Sequence, residues 1–170
     1  MFEGLRRKII GRHAVLRFRP EVWVQMIEEL HRRGEERRES GAFLLAARQG
    51  NPRVVERVVY LDDIDPACLV GGIHLHGEAY GKLWDICEET GSKVVGDIHT
   101  HPTERVAQSP TDRENPMVAR AGHVALIAPN FAAGRVVATD VGVHLYQGEE
   151  GWSSHFGREA RRLLYLGRFA

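Results

Sequence analysis

Two cysteines, Cys68 and Cys87, are all that the 170 residues hold, and neither stands in a CxxC or other metal-binding spacing. A disulfide-stapled secreted scaffold is excluded, and so is a cysteine-ligated zinc cluster. Reduced thiols in a cytoplasmic protein are the expectation, with a single disulfide the other arrangement two cysteines allow. Lysine is scarce too: of 23 basic residues only Lys8, Lys82 and Lys93 are lysines, and 23 acidic residues bring the formal charge to zero. No global positive field draws in nucleic acid or an anionic membrane. No apolar run is long enough to span a bilayer, and Met1–Lys8 lacks the apolar core of a signal peptide. Missing as well are a Gly-x-x-x-x-Gly-Lys-Ser/Thr phosphate loop, a Gly-x-Gly-x-x-Gly turn and a Gly-x-Ser-x-Gly elbow. The zinc-deaminase pattern of His-x-Glu with Pro-Cys-x-x-Cys is also absent.

What is present fits one soluble domain over residues 1–170, because 43% hydrophobic and 27% charged residues are ordinary for a chain able to bury a core. A short strand is expected around Ala14–Phe18. Pro20 then suits the first position of a helix over about Glu21–Arg33, with Val22, Val24, Met26, Ile27 and Leu30 on its apolar face. Ala42–Ala47 and the valine-rich Arg53–Leu61 read as a hairpin about the Gln49-Gly-Asn-Pro turn. Leu69–His76 reads as a strand. A helix over Glu78–Glu89 follows, packing through Tyr80, Leu83, Trp84 and Cys87 and stopped at Gly91. Strands are expected at His123–Pro129, Arg135–Thr139 and Val141–Gln147, then a turn at Gly148-Glu-Glu-Gly and a closing helix over about 154–166. This alternation predicts an α/β fold, a sheet layered with helices.

The chemistry concentrates between Gly96 and Asp112. Lys93-Val-Val-Gly-Asp-Ile-His reads as a strand, on which His99 and His101 project to one face and Thr100 to the other. Pro102 ends the ladder, having no N–H to donate. Ser109-Pro-Thr-Asp112 then opens a helix, with Ser at the N-cap, Pro at the first position and an acid at the third. That tetrapeptide is either a plain capping box or the carrier of a third metal ligand, Asp112. Two histidines and a carboxylate leave a fourth position for water, the composition of an open catalytic zinc site.

The string His-x-His-Pro-x6-Ser-x-x-Asp resembles the metal motif of the JAB/MPN metalloproteases, the JAMM motif. The family pattern also has a glutamate upstream, and Glu39-Ser-Gly-Ala-Phe-Leu-Leu-Ala46 supplies it, with Ala42 and Ala46 where glycines are frequent. The resemblance covers about residues 39–147. It implies an MPN (JAB) domain: a curved mixed β-sheet flanked by helices, with cytidine-deaminase-like layering. It further implies one Zn2+ held by His99, His101 and Asp112, with Glu39 as the proton-transferring base and Ser109 as a hydrogen-bond donor to the oxyanion. The implied activity is isopeptidase cleavage or precursor processing after the glycine-ending tail of a ubiquitin-like protein, as in the stand-alone prokaryotic members. Partners implied with it are that substrate and E1- and E2-like conjugation enzymes; no pattern sets an oligomeric state. Two other readings of the same fold are a metal-free scaffold and a RadC-like DNA-associated protein, the latter disfavoured by the zero net charge.

The remaining polar residues divide less sharply. His74-Leu-His76 is a second His-x-His without the proline or the spaced acid, so a structural pair or a groove wall is expected. Asp97 either orients a metal-binding imidazole or accepts backbone N–H groups. His123 is expected to be structural, and His13, His31, His144 and His155 have no sequence constellation around them. Asp62-Asp-Ile-Asp-Pro lacks the glycine and glutamate of a calcium loop and reads as a polar connection. Trp23, Trp84 and Trp152 are expected as core or interface anchors.

Overall fold

The computed structural model describes residues 14–167; Met1–Lys8 and His13 lie outside that range. After β1 (Leu16–Phe18), Pro20 starts α1 (Pro20–Gly34). Met26, Ile27 and Leu30 of the expected apolar face are buried, but Val24 is 52% exposed, and Trp23, one turn before Met26 and Ile27, packs inward in its place. Chain reversal at its end uses Glu35 in the left-handed region, φ 52°, whose N–H bonds the His31 carbonyl.

Strands β2 (Gly41–Ala47) and β3 (Arg57–Tyr60) pair antiparallel as the hairpin reading anticipates. A single turn, α2 (Leu61–Ile64), leads to α3 (Gly77–Glu89) and then β4 (Ser92–Thr100). The five-residue α4 (Pro110–Glu114) precedes β5 (Val124–Ala128), β6 (Gly142–Tyr146) and β7 (Trp152–His155). Last come α5 (Arg158–Leu163) and β8 (Leu164–Leu166), which pairs in parallel with β1.

The main sheet runs β3-β2-β4-β5-β6-β7, antiparallel except between β4 and β5. Leu44 and Leu45 of β2 pair with Gly96 and Val94, which leaves Val95 as an extra residue in β4, a bulge that bends that strand in the curved sheet. One face packs Ala42, Leu44, Ile98, Leu126 and Val143 against α1 and β1. The other packs Phe43, Leu45 and Val59 against Leu61, Leu69, Ala79, Leu83 and Cys87. The expected curved mixed sheet between helical layers is what forms. Because both faces are covered, β2 reads as an apolar run rather than an alternation. Each fully buried leucine in these layers contributes about 1.5–3 kcal/mol. Among the described residues, no helix is long and apolar enough to cross a membrane.

Several sequence expectations give way here. Leu69–His76 is not a strand: Gly71 and Gly72, at φ 73° and 125°, turn the chain, and the His74 N–H folds back onto the Cys68 carbonyl at 2.8 Å. Arg135–Thr139 is not a strand either. Its backbone is spent on other partners, the Val136 carbonyl accepting from Trp23 Nε1 at 2.8 Å and the Val137 N–H donating to Asp140 at 2.9 Å. The closing helix expected at 154–166 shrinks to Arg158–Leu163. Trp152–His155 instead supplies a seventh strand along β6, and Leu164–Leu166 is claimed by the edge of β1. Tertiary pairing overrides local propensity at both ends. Trp84 faces solvent at 46% exposure rather than the core.

Candidate metal centre

The parallel step from β4 to β5 requires a crossover, and that crossover carries the site. His99 sits near the end of β4, and His101 extends the ladder one step beyond it, its N–H bonding the Ala128 carbonyl at 2.9 Å. The His101 carbonyl accepts from Phe131 at 2.7 Å, in a turn where Asn130, Phe131 and Ala132 all have φ between 51° and 58°. Three consecutive non-glycine residues in that region are strained, and the contact to His101 is among the bonds that hold them.

Asp112 arrives from the first turn of α4. Its carboxylate accepts the Ser109 N–H at 2.7 Å while its own N–H donates to Ser109 Oγ at 3.2 Å. The capping box is therefore real, and the same carboxylate faces both imidazoles. His99 Nε2 stands 3.6 Å from Asp112 Oδ1, His101 Nε2 stands 3.4 Å from Oδ2, and the two Nε2 atoms are 3.2 Å apart. Ligands at about 2.0–2.1 Å from a tetrahedral zinc stand about 3.3–3.4 Å from one another; the two Nε2 atoms are close to that spacing, and the carboxylate meets the two rings through different oxygens. His101 Nδ1 donates to the Arg105 carbonyl at 2.8 Å, which turns the Nε2 lone pair of the neutral ring toward the cluster. The donor set fits a divalent ion, and the His99, His101 and Asp112 cluster is able to bind one.

Electrostatics agree with the geometry. Burial works against a proton on His101, but the Asp112 carboxylate, the Arg105 carbonyl and the field of Glu39 outweigh it and raise its pKa. Burial pushes Asp112 upward, yet its hydrogen bonds to His101 and His99 hold it far below the usual carboxylate range. A carboxylate kept ionised beside two imidazole nitrogens suits a cation.

Glu39 precedes β2 by two residues. Gly41 is in register with His99, and Ser40 exchanges bonds with Thr100 (the Ser40 N–H to Thr100 Oγ1 at 3.0 Å, the Thr100 N–H to the Ser40 carbonyl at 2.9 Å). The antiparallel register carries Glu39 opposite His101, on the face shared by Gly41 and His99. Its half-buried side chain lines an open pocket of about 270 Å³ together with His99, Ser109 and Asp112. All five sequence-identified residues thus converge at one end of the sheet.

The charged side chains of that pocket are acidic ones, Glu39, Asp97 and Asp112, beside His74, His99 and Gln108. His74 is a groove wall, whereas His76 Nδ1 pairs with Asp65 at 2.6 Å and caps the loop. Asp97 takes neither expected role: it accepts from His123 Nε2 at 2.6 Å, both side chains being buried. Trp152 walls the pocket and donates Nε1–H to the Arg113 carbonyl at 3.1 Å. Cys68 and Cys87 are free, buried thiols, and burial pushes Cys68 up to about 11, so neither is a nucleophile. Two residues escaped the sequence reading. Gln108 buries an Oε1 that has no hydrogen-bond partner, and His144, assigned no constellation, is fully buried beside the crossover. Its partner, the Val106 carbonyl, is 38 positions away in the chain, so no spacing rule reveals it.

No family model matches the chain. Solved structures share its fold. A protein from Desulfitobacterium hafniense superposes with a TM-score of 0.61 at 17% identity, over 91% of this chain and 94% of that one. One from Salinibacter ruber gives 0.53 at 16% identity, over 82% and 88%. A JAB1/MPN domain protein from Archaeoglobus fulgidus aligns over 85% of this chain and 90% of its own at 14% identity, with a TM-score of 0.42, too loose an overlap to bear on function.

Proposed function

We propose that this chain is a zinc-dependent peptidase of the JAB/MPN type. Its substrate is the amide bond that follows the glycine-ending tail of a ubiquitin-like protein, in a conjugate or a precursor. The observation that carries the reading is the convergence of His99 Nε2, His101 Nε2 and the Asp112 carboxylate within 4.8 Å of one another, with Glu39 on the same pocket wall. The nature of the substrate is supported by the motif's resemblance.

His99, His101 and Asp112 would hold the ion, and a zinc there supplies Lewis acidity, lowering the pKa of a water to about 7. Glu39 takes the proton of the attacking water and returns it to the departing amine. Its half-buried side chain on the wall of the pocket that His99 and Asp112 also line supports that role. Ser109 Oγ accepts the Asp112 N–H, which leaves its own O–H free to donate to the carbonyl oxygen as charge develops there. The capping box thus pins both partners: Asp112 is held by the Ser109 N–H, and Ser109 by the Asp112 N–H.

Metal analysis of the purified protein, followed by incubation with ubiquitin-like proteins fused or conjugated through a C-terminal glycine, tests the reading. Glu39→Gln is expected to keep stoichiometric zinc and lose about 10²–10⁴-fold in turnover, the range for removing a general base. A wild-type protein that takes up no zinc, or a Glu39→Gln variant that cleaves at the wild-type rate, would sink it. In the first case a metal-free scaffold becomes the better description.

A further inference from the structure

One row of residues crosses the sheet in register: Asp97 beside Ala125, Ala125 beside His144, His144 beside Ser154. It places His144 on the face that carries the metal cluster, although β6 contributes no ligand. Its ring is committed at both nitrogens. Nε2 lies 3.0 Å from the Val106 carbonyl and so carries the proton, and Nδ1 accepts from Ser154 Oγ at 2.8 Å. Val106 belongs to the loop between His101 and Ser109, and the neighbouring carbonyl, Arg105, is the one that accepts from His101 Nδ1. Two imidazoles therefore hold consecutive carbonyls of one loop. The next residue in the His99 row is also built for this contact: a Cβ on Gly142 would meet the Val106 oxygen at 2.1 Å.

We infer that His144, seated against Gly142, is a positioning residue for the metal cluster: by fixing the Val106 carbonyl it sets the loop that delivers Ser109 and Asp112 to His99 and His101. The ring serves as a neutral donor throughout the working range, because burial lowers its pKa to about 4. The loop exposes Pro102, Thr103 and Glu104, and three of its carbonyls are held: Thr103 by the Asn130 N–H, Arg105 by His101 and Val106 by His144, the last two nearest Ser109. The inference rests on the metal reading for its consequence, not for its geometry.

Two measurements separate the two. In the metal-free protein, amide exchange at Ser109 and Asp112 is expected to rise about tenfold in His144→Leu and in Gly142→Ala, whose Cβ would crowd both the Val106 oxygen and His144 Nε2. His144→Gln, whose carboxamide N–H reaches a similar position to Nε2, is expected to restore protection. Zinc affinity by chelator competition should fall about 10–100-fold in the first two variants and recover in the third, the range for an outer hydrogen bond at a metal site. Unchanged exchange and affinity in both His144→Leu and Gly142→Ala would overturn the inference, as would His144→Gln behaving like His144→Leu. If the wild-type protein binds no zinc while exchange responds as described, the peptidase reading falls and the clamp stands.

Discussion

Asp112 closes a capping box and also faces both imidazoles, two features that a single substitution can separate. Asparagine keeps a side-chain carbonyl that accepts the Ser109 N–H, so the capping box survives in neutral form, but it removes the charge facing His99 and His101. Alanine removes both. Deleting one partner of a buried charged cluster costs about 3–5 kcal/mol, which at 1.4 kcal/mol per decade corresponds to about 10²–10⁴-fold in zinc affinity. Both variants should show that loss. Alanine alone should also lose the reciprocal half of the capping box, the acceptor for the Ser109 N–H, about 0.5–1.5 kcal/mol, while the backbone N–H of residue 112 still reaches Ser109 Oγ. For a chain of 170 residues that lowers the melting temperature of the metal-free protein by about 2–4 °C per kcal/mol. The assay is paired: chelator competition for zinc, and thermal unfolding of the metal-free proteins at one fixed pH. If Asp112→Asn binds zinc as tightly as wild type, Asp112 is a cap and not a ligand. If the two metal-free variants melt together, the capping account is wrong.

Ser109→Ala should reduce turnover by about 100-fold through the lost oxyanion donor. It should lower the metal-free melting temperature by about 2–4 °C for a cap worth about 1 kcal/mol, with zinc stoichiometry unchanged; a normal rate would remove Ser109 from the chemistry. Stability should also depend on pH in opposite senses with and without metal. The pKa of His101 is raised in the metal-free fold, so its contribution is complete below the unfolded value of about 6.5 and is lost as pH rises through the folded value. That of Asp112 is lowered, so its contribution is present above about 3.9 and is lost as pH falls toward the folded value. Between pH 6 and 8 the metal-free protein should therefore weaken. Zinc binding, which needs bare imidazoles, should strengthen over the same window, widening the gap between the two melting curves. Parallel curves would show that protons and metal do not compete for His101.

Local sequence rules worked where the determining contacts lie within a few residues. Pro20 and the spacing of Met26, Ile27 and Leu30 specify α1, although the face is turned so that Trp23 and not Val24 is buried, and Ser109-Pro110 with Asp112 specify the cap of α4, whose bonds close inside one helical turn. They failed where a distant strand edge decides the outcome. Leu164–Leu166 has a helix-compatible composition but lies against β1, at the opposite end of the described chain, and Trp152–His155 pairs with β6 instead of starting the last helix. Leu69–His76 looked strand-like because its apolar residues are frequent; the paired glycines and the return bond to Cys68 make it a loop.

What the amino-acid order supplies by itself is a candidate donor set: two imidazoles one strand period apart and a helix-borne carboxylate with a serine at its cap; the upstream glutamate is picked out by resemblance to a family motif. Types and spacing of residues are enough for the donor set, since ligand chemistry is local. Which of the remaining histidines matter was decided only in three dimensions. His123 and Asp97 pair across the parallel β4–β5 step, and His144 reaches Val106 from β6; both contacts arise from strand register, which brings together side chains that no short-range pattern connects.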